Sequence, residues 1–438
     1  MSLRSAIRSL LRSPAFAATA VSTLALGIGG ATAIFSLVDA VLLRPLPYRD
    51  PGRLVRIWEA NHAEGKDRFD LSAGTFVDWR DRSHSFDDIA LFSTEMTPTV
   101  LSMLTGPTGS LQIHDTAVSA NLFSLLGVQP QIGSTFSAPG SRPSAAAETH
   151  EVLVSDALWR RAFGSSRAIV GQTVSIEGRP IYIVIGVMPP GFDYPSKTEL
   201  WMAEDLSRAG VARRNARFYG AVARLKTGAT LASARADLDG ISRQLAVEYP
   251  ATNAGWTATL LPLDEAIVGG NRLALLTLFG AVTVVLLVGC ANVTNLLLAR
   301  AVARRREMAV RAAIGASRAR LVGELLTESL ALAVIGTVIG WALASALLPV
   351  LISITAGTVP RIADATLTVT VFAFSAVVAA LTTLAVGLIP ALEASQIDFR
   401  AAVQADGERG TTSGRDARWQ HGLVAAEIAV SLVLVVGA

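Results

Sequence analysis

The residues of this 438-residue chain best grouped to do chemistry are arginines. Arg300, Arg304, Arg305, Arg306, Arg311, Arg318 and Arg320 crowd one short stretch, opposed there by Glu307. Arginine beside an apolar run resists translocation, so such a stretch stays on the cytoplasmic side of a membrane. Arg304, Arg311 and Arg318 recur every seven residues and therefore share nearly one face of a helix. Gly315 offers a helix stop, and Ser317 an N-cap for the next helix. The stretch reads as a short cytoplasmic helix, a bend and a helix that returns into the membrane. Setting topology would by itself account for arginines placed this way.

Other chemistry is missing from the sequence. No G-x-x-x-x-G-K-[ST] phosphate loop occurs, and Lys66, Lys197 and Lys226 follow no glycine-rich turn. No G-x-S-x-G, H-E-x-x-H or C-x-x-C is present. The five histidines show no metal-ligand spacing, and the single Cys290 excludes an intrachain disulfide. Asp78, Asp81, Asp87 and Asp88 form an acidic patch near Trp79, which reads as a solvated face. No catalytic, cofactor-binding or metal residue is assigned, and the chain is read as not being an enzyme. Glu324 and Glu328 stand at the inner end of an apolar run, where snorkelling or pairing with nearby arginines accounts for them.

The elements that position the arginines are apolar. Half of the chain is hydrophobic, 51%, and the mean hydropathy is positive. Residues 1–13 carry Arg4, Arg8 and Arg12 without an acid, which argues for a cytoplasmic start. Residues 14–43 are too long an apolar run for a signal-peptide core and read as the first span, with Asp39 close enough to its outer end to reach the interface. Residues 271–299, 322–352 and 367–392 read as three further spans. Asn292 and Asn295 in the second span are of the type that hydrogen-bonds between helices, and Gly336-xxx-Gly340 in the third permits close helix approach. Between these runs lie a cytoplasmic segment at 300–321, a short outer loop at 353–366 and a polar cytoplasmic linker at 393–421. Residues 422–438 read as the start of a fifth span.

Residues 44–270 have ordinary globular composition and, by the parity of the spans, lie outside the membrane. RLVRIWEA and HEVLVSDALWRRAF read as strand followed by helix or turn, and Gly171–Val187 as a hairpin around Glu177-Gly178-Arg179. RFYGAVARLKTG reads as a strand and GWTATLLPL as another. Between them Leu231, Ala234, Leu238, Ile241 and Leu245 recur at helical spacing, so the three make a β-α-β unit before the second span. Residues 137–149 read as a loop or a subdomain boundary.

Three stretches together resemble the membrane subunit of MacB/FtsX-like ABC systems: 37–55, 118–192 and 291–329. The first two are most similar to the internally duplicated orphan permease branch, although Ser134 stands where that branch shows Arg in a G-R-x-F turn. The resemblance implies an α-helical transmembrane bundle carrying a large extracytoplasmic, mixed α/β core domain of MacB periplasmic type. It implies a bacterial inner-membrane protein that transmits the ATP-driven motion of a partner ATPase, with ATP entering only through that subunit. By the same match Arg304, Arg305, Arg306, Glu307 and Arg311 would contact the ATPase, with Gly315 and Ser317 shaping the bend. A homo-oligomer or a second permease copy in a longer chain, a periplasmic partner and membrane lipid complete the implied partners; nucleic acid is not among them. A signalling regulator of FtsX type, acting on envelope hydrolases, and an uncoupled membrane scaffold share this topology.

Overall fold

The computed structural model describes residues 13–94, 102–106, 109–136, 150–176, 181–195, 197–204, 206, 211–303, 318–355 and 358–395. The expected loop at 137–149, the turn at Glu177-Gly178-Arg179, the polar linker beyond 395 and the start of a fifth span lie outside them. The helices used below are α1 (Pro14–Val38), α2 (Ala73–Arg82), α3 (Leu122–Leu126), α4 (Asp156–Phe163), α5 (Leu231–Glu248), α6 (Leu263–Ala303), α7 (Arg318–Thr355) and α8 (Val369–Ser395). The strands are β1 (Leu54–Asn61), β2 (Lys66–Phe69), β3 (Leu71–Ser72), β4 (Phe86–Ser93), β5 (Ser102–Gly106), β6 (Gly109–Ile113), β7 (Asp115–Val118), β8 (Ile132–Gly133), β9 (His150–Val154), β10 (Thr173–Ile176), β11 (Ile181–Val187), β12 (Leu200–Ala203), β13 (Arg217–Leu225) and β14 (Thr257–Pro262). Contacts divide the chain into two compact units, residues 45–269 and the remainder.

Residues 45–269 build one mixed sheet in the order β14-β1-β13-β4-β7-β12-β9-β11-β10-β5-β6. β1 pairs antiparallel with both β13 and β14, so those two run parallel with β1 between them. The β-α-β unit legible in the sequence is thus split by a strand from the far end of the domain. Alternation along β1 explains how both faces are filled. Val55 and Ile57 join Phe76 and Trp79 of α2 and Leu238 and Leu245 of α5 on one face. Leu54 meets Phe92, Val118 and Trp201 on the other. Thr230 and Ser233 close a capping box at the start of α5, whose Ala234, Leu238, Ile241 and Leu245 are buried as their spacing predicts. Leu231, expected on the same face, is exposed because it sits in the first turn, at the edge of the contact.

A second part of the sheet, β12-β9-β11-β10, packs Val152, Val154, Val174 and Val184 under Leu158 and Trp159 of α4. β10 and β11 form the expected antiparallel hairpin, whereas β9 with β11 and β7 with β12 are parallel. β4 and β7 meet through Phe92 and Val118. Gly133, beside Ser134, has φ +82° and lies against the carbonyl of Ile185, where a side chain would collide.

The remaining unit is a bundle of the four helices that are long and apolar enough to cross a membrane: α1, α6, α7 and α8. α1 is its central helix, with 72% of its most apolar window buried against 22% for α6. Gly336 of α7 faces Leu24, and Gly340 faces Ala25 and Gly29, so the small-residue spacing serves contact with α1. Thr32 and Ser375 hydrogen-bond between α1 and α8 at 2.9 Å, and Phe35 stacks on Phe374 at 3.9 Å.

Candidate functional site

The arginine-rich stretch lies between α6 and α7. Arg304, Arg305, Arg306, Glu307, Arg311, Gly315 and Ser317 fall outside the described residues. The helices flanking them are described, and they are tied together. The guanidinium of Arg300 on α6 donates to the carboxylate of Glu328 on α7 at 2.5 Å, with both side chains largely buried. Arg300 also lies over the ring of Phe16 on α1, 4.7 Å from its centroid. One ion pair therefore joins three helices. Glu328 pairs as the sequence allowed, and its partner is the first arginine of the stretch.

A second polar cluster closes the opposite end of α1. Its last residues form a π-helical turn, Asp39–Leu43, which exposes Arg44 to its own neighbour Asp39 at 3.1 Å. Arg44 donates to the Asp364 carbonyl at 3.1 Å, and Arg361 donates back to the Arg44 carbonyl at 2.9 Å. Thr368 donates to Asp39 at 3.5 Å. The sequence placed Asp39 at an interface; the structure buries it and surrounds it with donors. Arg44, five residues on, was the available signal.

Of the acidic residues read as a solvated face, Asp81 and Asp87 are exposed, whereas the reading is corrected for Asp78. Asp78 is buried between Arg82 at 2.9 Å and Arg214 at 2.7 Å. Asp81 pairs with Arg80, Asp87 with Arg53, and Asp88 accepts from the Asn121 amide. The four carboxylates are divided between α2 and β4, and each meets its own basic or amide partner. A cavity of about 810 Å³ beside them is lined by Val77, Arg80, Leu206, Arg214, Tyr249 and Thr252. Its arginines are already engaged: Arg80 with Asp81, and Arg214 with Asp78 and the face of Tyr249 at 3.6 Å.

Within the sheet, burial pushes the Glu59 carboxyl up, opposed by the Arg217 guanidinium at 2.9 Å and a hydrogen bond from Thr75. Burial likewise lowers Arg56, which lies 4.1 Å from the centroid of Phe92, and pushes the Tyr194 hydroxyl up to about 12. No nucleophile stands beside a base in this set. Among the described residues no group of three or more His, Cys, Asp or Glu could hold a metal ion. The arrangement brings charge to helix ends and strand edges, where it fixes elements together.

Comparison with known proteins follows the same division. Residues 17–241 match the family model of the MacB-like periplasmic core domain. Residues 279–399 match that of the FtsX-like permease C-terminal region. Three of the solved structures similar to the chain are the following. A permease-type domain from Porphyromonas gingivalis has 13% identity over 49% of this chain and 92% of that one, with a TM-score of 0.39. The periplasmic region of MacB from Actinobacillus actinomycetemcomitans has 10% identity over 49% and 90%, with a TM-score of 0.35. The extracellular domain of the noncanonic ABC-type transporter YknZ from Gram-positive bacteria has 11% identity over 47% and 99%, with a TM-score of 0.34. No curated protein matches the chain.

Proposed function

This chain belongs to the MacB/FtsX-like permease family, and from that membership we propose that it is a non-catalytic membrane subunit. It transmits the ATP-driven motion of a partner ATPase to an extracytoplasmic domain, for export or efflux. The observation that carries this reading is the order of parts in one chain. A span is followed by a core domain, then by a bundle whose arginine-rich segment separates α6 from α7. Arg304, Arg305, Arg306, Glu307 and Arg311 receive the ATPase on the cytoplasmic side of a bacterial inner membrane, and Gly315 and Ser317 shape the turn. The Arg300–Glu328 pair supports that role, because a push on the segment reaches both flanking helices at once. ATP is bound by the partner and not by this chain.

The test replaces Arg304, Arg305 and Arg306 together by Gln and measures co-purification with a co-expressed ABC-type ATPase subunit. Orientation is checked in parallel by labelling of an introduced cysteine. Loss of the ATPase with orientation retained is the expected result. Retention of the ATPase, or inverted orientation alone, would assign these arginines to topology and overturn the docking role.

A further inference from the structure

We propose that Arg56 and Arg68, gathered on the ring of Trp58 in the core domain, form a binding site for a phosphate group. Alternate residues of a strand share one face of the sheet, so Arg56 and Trp58 of β1 stand on the same side. β2 pairs antiparallel with β1 and sets Phe69 opposite Glu59, which brings Arg68 and Asp70 to the side of Trp58. The Arg56 guanidinium lies 5.2 Å from the centroid of Trp58 and 4.1 Å from that of Phe92. The Arg68 guanidinium lies 5.6 Å from the Trp58 centroid. Arg56 is only 9% exposed, whereas Arg68 is open to solvent.

Other enclosed guanidinium groups of this sheet are satisfied by the fold. Arg217 donates to Glu59 and to the Thr252 carbonyl, and Arg224 to the carbonyls of Leu125 and Arg49. Arg56 differs from them. Its Nη1 is buried without a hydrogen-bond partner, and no described residue forms an ion pair with it or with Arg68. Phe92 and Trp58 attract the charge but supply no oxygen acceptor. Asp70 is close enough to act on Arg56, yet it accepts from the Thr94 hydroxyl and stays out of ion-pair reach. A desolvated cation without an acceptor is costly, so its retention calls for a ligand that supplies one. The strand beside it is shaped to hold the charge in place. A Cβ on Gly220 would stand 2.2 Å from Nη2 and 2.3 Å from Nη1, so this glycine within β13 clears the space that the guanidinium fills.

Two unpaired cations beside one engaged carboxylate leave an excess of positive charge, which suits a dianion more than a single carboxylate. The planar fork of a guanidinium matches the oxygens of a phosphate, and the exposed side chain of Arg68 is free to turn onto the same group. A soluble phosphomonoester and a phospholipid headgroup present this chemistry alike. The inference concerns residues 45–269 alone and not the ATPase, so the two can fail separately.

The experiment titrates inorganic phosphate into the full chain in phosphatidylcholine nanodiscs by calorimetry, at constant ionic strength, with chloride as the control anion. Saturable binding of phosphate and not of chloride is the expected result. Arg68→Gln, an exposed change, should weaken it roughly 10-fold through loss of a charge-assisted hydrogen bond, and Arg56→Met should abolish it. Melting gives an independent reading. Phosphate should raise the melting temperature of the parent chain and leave that of Arg56→Met unmoved. Without phosphate, Arg56→Met should melt higher than the parent, because no unpaired charge stays buried. Discs that include phosphatidic acid separate the two sources: loss of the phosphate signal there assigns the headgroup, and its persistence a soluble phosphate. Absence of phosphate binding by the parent overturns the proposal, as does an affinity unchanged in both variants. So does a lower melting temperature of phosphate-free Arg56→Met, which would make aromatic packing the whole role of that charge. Binding that emerges only in Glu95→Gln overturns it too, in favour of an acceptor within this chain.

Discussion

Gly29 on α1 and Gly340 on α7 touch backbone to backbone: a Cβ on Gly29 would stand 2.7 Å from the carbonyl oxygen of Gly340. No side chain can be accommodated there without separating the two helices. Gly340→Val should therefore lose about 1–3 kcal/mol through overpacking, read as a lower melting temperature of the detergent-solubilised chain. Gly280→Val, where nothing lies within 4 Å of the added carbon, is the tolerated control.

Arg300 and Glu328 should behave as a coupled pair. Replacing either alone by Gln leaves a buried charge and should cost about 3–5 kcal/mol. Replacing both by Leu should cost less than either single change, because no uncompensated charge remains. A thermal-stability double-mutant cycle reads the coupling, and additive effects would remove the pair from the account.

Asp39 holds Arg44 and Thr368, so Asp39→Asn should loosen the link between the end of α1 and the loop before α8. The expected result is faster amide hydrogen exchange over residues 361–368, with α5 in the other unit unchanged. Equal protection in both proteins would show that the carbonyl bonds of Arg44 and Arg361 suffice.

Asp156 gives the core domain an acid-sensitive contact. The hydrogen bond from Arg160 holds its carboxyl below the ordinary value of 3.8, and Gln131 adds a second donor. A group depressed on folding stabilises above its unfolded value, and that contribution disappears as pH falls through the folded one. Asp156→Asn should lower stability at neutral pH and flatten its decline in acid. Thermal unfolding followed by emission from Trp159, on the same helix, provides the measurement. A parallel acid decline in both proteins would exclude Asp156 as its source.

The sequence made the local part of this fold legible and the distant part illegible, for a physical reason. Periodicity reports which side of one element is buried, so α5, the β10–β11 hairpin, the four spans and the glycine spacing of α7 could be read directly. Periodicity does not report what covers that side. The insertion of β1 between β13 and β14 depends on residues far apart in the chain. The pairing of Asp78 with Arg214 does as well, and Asp78 was misread as solvated on that account. Of the candidate site, the arginine cluster was visible from composition. The Glu328 partner of Arg300, 28 residues along the chain, required the bundle to be folded first.

The register of β1 has a mechanical consequence. Val55, near its start, pairs with Pro262, at the end of β14, so the chain enters and leaves the sheet at one end of the same ladder. A pull that spreads these two connections meets the hydrogen bonds one after another, as in unzipping, and the resistance is low. A pull that moves them together meets no such weak line, because the adjacent strands travel as one handle. The domain of residues 45–269 thus holds together under concerted motion of its two connections and peels open under opposed motion.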